Sequence, residues 1–111
     1  MAILQIVVAG LTIITGLVSL IRPRAIKSFT GLDVTGSRGV TEIRAVLGGA
    51  FIGLGAAPLL LNTPQSFQML GITYLVIGVV RAVTMFVDRS VMLSNIISLA
   101  VEIIFGVLLV F

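Results

Sequence analysis

The sequence predicts an all-α polytopic membrane protein: a bundle of four transmembrane helices with a short interfacial helix in the first loop. Three observations carry this reading. Hydrophobic residues make up 59% of the chain and charged residues only 10%, too little polar surface to cover a water-facing fold. The mean hydropathy is +1.29. The apolar residues also fall into four runs of about twenty residues, the length of a helix that crosses the hydrocarbon core.

The 111 residues read as a single membrane domain over the whole chain. Seven basic side chains against four acidic ones are too few for a nucleic-acid surface, and their placement suits a membrane-orientation signal. The absence of Cys removes disulfides, thiol nucleophiles and thiolate metal sites. The absence of His removes the commonest acid–base group, metal ligand and haem ligand. No cofactor, no metal and no enzymatic activity are therefore expected.

Residues 2–21, AILQIVVAGLTIITGLVSLI, form the first span. A cleaved signal peptide fits poorly, because no basic segment precedes the run and Arg22-Pro23-Arg24, not a small-residue cleavage site, follows it. Gln5, Thr12, Thr15 and Ser19 are mild polar groups able to bond back to their own helix or to a neighbour.

In residues 22–40, Pro23 suits the first turn of a short helix. There Ile26 and Phe29 would face the bilayer beside Arg24 and Lys27. A polar, glycine-containing loop follows from Thr30. Thr41 then reads as an N-cap, with Glu42 in the first turn where the helix dipole favours an anion. The second span covers about residues 42–61 and ends at the turn Asn62-Thr63-Pro64. Within it Ala45, Gly49, Gly53 and Ala57 recur every fourth residue, with Gly48 alongside. Such a stripe lets another helix come close, and internal packing is the preferred reading over a dimer seam.

The third span covers about residues 66–87, with Tyr74, Gly78 and Arg81 along one side. Asp88 or Ser90 is expected to cap the fourth span, about residues 91–111. There Ser94, Ser98, Glu102 and Gly106 form a small and polar stripe at four-residue spacing. Arg22, Arg24, Lys27 and Arg38 lie in the first loop and Arg89 in the third, while the second has no charge. Basic loops stay cytoplasmic, so residues 22–41 and 88–90 are expected inside and both termini outside the inner membrane.

Two charges fall within the bilayer. Arg81 lies roughly 9 Å from the loop end of its helix and Glu102 roughly 16 Å, close to the midplane. An ionised carboxylate facing lipid there costs at least about 2–3 kcal/mol. Arg81 and Glu102 are therefore expected to pair, with Tyr74 placed to donate to the same carboxylate. Glu42 and Arg44 point about 200° apart and cannot pair with each other; Arg44 reaches a partner helix or snorkels to the surface. The cluster suits either a register-fixing ion pair or an ion or proton relay. With one midplane acid and no His, the first is preferred.

Glu42-Ile43-Arg44-Ala45-Val46-Leu47-Gly48-Gly49, followed by Gly53 and Gly55, resembles the signature of a bacterial family of small four-helix membrane proteins of unassigned function. That family shows an E-x-R-A-x-x-G-G pattern opening its second helix and is distantly similar to DoxX-like membrane proteins. The resemblance marks Glu42, Arg44, Gly48 and Gly49, and it implies an aromatic residue at position 47, where this chain has Leu.

The expected function is that of an accessory or structural membrane subunit, packing with other membrane proteins or as a homo-oligomer in the lipid bilayer. The alternatives are a small proton, ion or solute transporter using the Glu/Arg pair, or a lipid- or quinone-binding membrane protein.

Overall fold

The computed structural model describes residues 2–26, 30–33 and 35–111. It consists of α1 (Ala2–Ile21), a 3-10 turn (Pro23–Ile26), α2 (Gly36–Leu61), α3 (Pro64–Val87) and α4 (Leu93–Val110). Each of the four α-helices is long and apolar enough to cross a membrane, and no strand occurs among the described residues. The all-α four-helix fold is the one the sequence predicts.

The helix ends depart from expectation in instructive ways. The second helix begins at Gly36, not at Thr41, so Thr41 is an exposed helix-interior residue and not a cap. Arg38 and Glu42 make this possible: they pair at 2.8 Å one turn apart, on a segment too polar to count as part of an apolar run. Glu42 is thus a partner of Arg38, not a helix-start charge. Pro64 opens α3 at its first turn, and the Thr63 side chain accepts a hydrogen bond from the Ser66 N–H at 3.2 Å. Asn62, in the left-handed region at φ 51°, closes α2.

Neither Asp88 nor Ser90 caps α4. Met92 occupies its N-cap position without a side-chain bond, and Asp88 sits at the C-terminal cap of α3. The turn is instead tied by Asn95, whose Nδ2 donates to the Ser90 carbonyl at 2.8 Å. The expected interfacial helix is a single 3-10 turn where it is seen; its continuation through Lys27 and Phe29 lies outside the described residues.

The helices pack as two antiparallel hairpins, α1 with α2 and α3 with α4, with much less contact between hairpins than within them. Apolar burial does not drive helices together in lipid, so close backbone approach has to. A Cβ added at Gly16 would lie 2.6 Å from the Ile52 nitrogen, and one at Gly55 would lie 2.6 Å from the Ala9 oxygen. Gly48 meets Gly16 and Leu20 at 3.2 Å. In the other hairpin, Gly71 and Gly106 abut each other's carbonyls at about 3 Å, and Gly78 faces Ile103.

The expected packing stripe is therefore misplaced on α2. Gly48 packs, but Gly49 and Gly53 have nothing within 4 Å of a built Cβ, and Ala45 is exposed. Ala57 is half-buried. The physical reason lies partly in residues Ile43–Gly48, which wind as a π-helix. Its wider turn displaces Ala45 from the rest of the stripe, while Gly49 and Gly53, in the regular helix beyond it, lie about 100–140° round from the Gly48–Gly55 face that α2 presents to α1. Gly78 and Gly106 do pack as expected, whereas Ser94 is exposed.

The main buried cluster lies at one end of the bundle, while Met85 is buried near the other. Val8, Ala9, Phe67, Leu70, Tyr74 and Leu109 form the cluster, with Leu54, Phe105 and Leu108 against it. These residues lie toward the end that carries both termini and the turn at residues 62–63. At the opposite end, where the first and third loops lie, the two hairpins diverge.

Candidate binding cavity

Three polar side chains tie the hairpins together on the closed side. The Thr12 hydroxyl donates to the Val8 carbonyl at 2.8 Å, so its one proton is used. The Tyr74 hydroxyl, 2.5 Å from Thr12 Oγ1, is then the donor to it. Gln5 Nε2 donates to the Leu109 carbonyl at 3.3 Å and lies 3.5 Å from that of Leu108. Those carbonyls belong to the last turn of α4, which has no intrahelical donors left for them.

Below this seam, toward the loops, the divergence leaves a cavity of about 520 Å³. All four helices line it, and Thr30 and Leu32 of the first loop lie at its mouth. Thr15 and Ser19 contribute from α1, Leu47 and Phe51 from α2. Tyr74 and Phe105 form the floor, ring edge against ring face, with centroids 5.5 Å apart and planes at 87°.

Arg81 and Glu102 stand on the α3–α4 wall. Arg81 Nε donates to Glu102 Oε1 at 2.7 Å and Nη2 to Oε2 at 2.8 Å, a two-pronged pairing that uses both carboxylate oxygens. Arg81 Nη1 donates to Asn95 Oδ1 at 2.9 Å. The side chains keep 31% and 11% exposure; both line the cavity, and Arg81 also borders an open groove between α3 and α4 beside Ser90 and Asn95, so the pair is not fully dry.

The structure brings Arg81 and Glu102 together and leaves Tyr74, Glu42 and Arg44 out of their pairing. Tyr74 lines the same cavity but gives its proton to Thr12, not to the carboxylate. Glu42 faces Arg38, and Arg44 is exposed with no partner among the described residues. Ser98 lines the cavity instead of packing at a helix seam. Sequence reasoning missed Asn95, though it precedes Glu102 by seven residues and shares its face. It also missed Gly16, Gly55 and Gly71, whose isolated positions form no regular stripe.

A family model described as a domain of unknown function, DUF4345, matches residues 1–111. The chain belongs to the DUF4345 family. No curated protein and no solved structure matches it. Membership agrees with a family of unassigned function and lends nothing to the distant DoxX likeness. In this DUF4345 chain, residues 42–49 of the E-x-R-A-x-x-G-G pattern are the π stretch with its two flanking residues. Gly48 and Leu47 lie on different faces of that stretch: the first touches α1, and the second lines the cavity. The glycine permits contact, while leucine in place of an aromatic ring leaves room.

Proposed function

We propose that this DUF4345 protein is a non-catalytic binding protein of the membrane, whose cavity receives a small amphiphile. The supporting observation is the uneven closure of the bundle. One end is packed and latched, while the other holds a cavity of about 520 Å³ that combines apolar walls with a few fixed polar groups. That mixture and size are usual for small-molecule sites. The reading includes the expected orientation, with the basic loops and hence the cavity mouth on the cytoplasmic side.

The test is extraction in mild detergent followed by native mass spectrometry. The wild type should retain a small molecule that the cavity-filling variant Val101→Phe loses. Equal retention by both, or none above the annular lipid background, would refute the reading.

A second reading, an accessory subunit or homo-oligomer, draws on the exposed Ala45, Gly49 and Gly53 of α2, a smooth face left open in the single chain. It predicts a stable companion on extraction; a lone monomer argues against it. An ion or proton relay through Glu102 is less favoured, because Arg81 holds both of its oxygens.

A further inference from the structure

Resting on the cavity reading above, we infer that the guest is an uncharged single-chain lipid with a hydroxyl head. Its head sits level with Thr15, Ser98 and Arg81, and its chain points toward Tyr74 and Phe105. Two independent features of the wall lead there, one electrostatic and one geometric.

The electrostatic feature is that the charges in the cavity are already matched. Of the five guanidinium N–H groups of Arg81, two go to Glu102 and one to Asn95. Both Glu102 oxygens are taken by that same guanidinium. An anionic head would lie beside the carboxylate with no free cation to meet it. A cationic head would lie beside the guanidinium with no free anion. Either would leave an uncompensated charge in a poorly solvated site.

A hydroxyl meets complementary groups on both walls. Thr15 Oγ1 donates to the Leu11 carbonyl at 3.0 Å and Ser19 Oγ to the Thr15 carbonyl at 3.3 Å. Their protons are spent, so α1 offers lone pairs to the cavity. Across from them, Ser98 has no hydrogen-bond partner among the described residues, and Arg81 keeps two N–H groups beyond the three it uses. That wall offers donors. A group that both donates and accepts spans the gap.

The geometric feature is depth. Thr15, Arg81 and Ser98 each lie about 8–9 Å from the loop end of their helices, whereas Tyr74 and Phe105 lie about 18–20 Å in. Polar groups thus ring the upper cavity, and aromatic rings close the bottom. Val101, a turn deeper than Ser98, lines the space between with apolar surface, and Phe51 of α2 adds an apolar wall at the level of Thr15, beside Gly16. A head-up, chain-down pose follows.

The chain carries its own reporter. It has one tyrosine and no tryptophan, and Tyr74 is on the cavity floor, where a bromine atom brought near quenches its emission. The full chain in phosphatidylcholine vesicles would be titrated with ω-bromoundecanol, ω-bromoundecanoate and ω-bromoundecyl-trimethylammonium. Partitioning is corrected with a lipid-anchored tyrosine ester in vesicles without the protein. The alcohol should quench at a bilayer concentration about fivefold lower than either ion. Ser98→Ala should raise that concentration about fivefold, the loss of one uncharged hydrogen bond. Val101→Phe, checked for unchanged helicity, should remove the excess quenching.

An isomer with bromine beside the hydroxyl should quench less than the ω-bromo form; the reverse order overturns the pose. Quenching by the carboxylate or the ammonium at equal or lower concentration overturns the neutral-head assignment and leaves the cavity reading standing. Quenching by all three no better than in the ester control overturns both.

Discussion

Replacing Arg81 and Glu102 singly and together asks whether the ion pair is a unit. Arg81→Met removes both hydrogen bonds that the Glu102 carboxylate makes among the described residues, near mid-bundle. Breaking a buried pair from one side costs about 3–5 kcal/mol. The 31% exposure of the Arg81 side chain lets water reach the site, which lowers the expectation to about 2–3 kcal/mol. Glu102→Leu should cost less, because the guanidinium left behind still holds Asn95 at 2.9 Å and stands nearer the loop end. The double variant removes both charges and should return to within about 1 kcal/mol of the wild type. The coupling would then be about 2–4 kcal/mol in magnitude. Reversible unfolding by SDS titration in mixed micelles measures all four corners of the cycle. Additive losses, or Glu102→Leu costing more than Arg81→Met, would refute the argument from geometry.

Three further outcomes follow from the packing. Gly16→Val should cost about 2–3 kcal/mol by forcing α1 from α2, while Gly53→Ala, with open space around it, should change stability by less than about 0.5 kcal/mol; the same SDS titration compares them. Tyr74→Phe removes the hydroxyl latch to Thr12 and should cost about 1 kcal/mol, read as a lower midpoint of thermal aggregation in mild detergent. Because the chain has no cysteine, single cysteines at Gln65 and Arg89 can be labelled cleanly in intact cells. Impermeant maleimide should reach the first and not the second, and the opposite pattern would reverse the orientation.

The contrast between Gly16 and Gly53 also marks where reading the chain succeeds and fails. Arg81 and Glu102 could be matched in advance, because a charge inside a bilayer has few ways to be satisfied and the two lie within reach of each other. The partner of Tyr74 could not. A phenol needs only some acceptor, and Thr12, sixty-two residues away on another helix, competes with a carboxylate on the same bundle. The α2 stripe misled for a related reason. Spacing shows that Gly49 and Gly53 share a face but not which way that face turns, and the π stretch at Ile43–Gly48 takes Ala45 out of line with them. The start of α2 was missed because Gly36–Glu42 is neither apolar nor capped, and its support from Arg38–Glu42 is a side-chain pair that no hydropathy pattern contains.

The number of spans, their approximate limits and the membrane-embedded class were decided by the amino-acid sequence alone. Each depends on how a segment partitions between water and hydrocarbon, a property of that segment taken by itself. Which glycines touch, which hydroxyl answers which, and where the bundle stays open were decided only in the tertiary structure. Those depend on how far each helix is rotated about its own axis, and rotation is set by the neighbours. The cavity is the clearest case. Arg81, Glu102 and Tyr74 stand out in the sequence, but nothing in it sets them around a common space; that space exists because two tight hairpins meet firmly at Thr12 and Tyr74 and part below them.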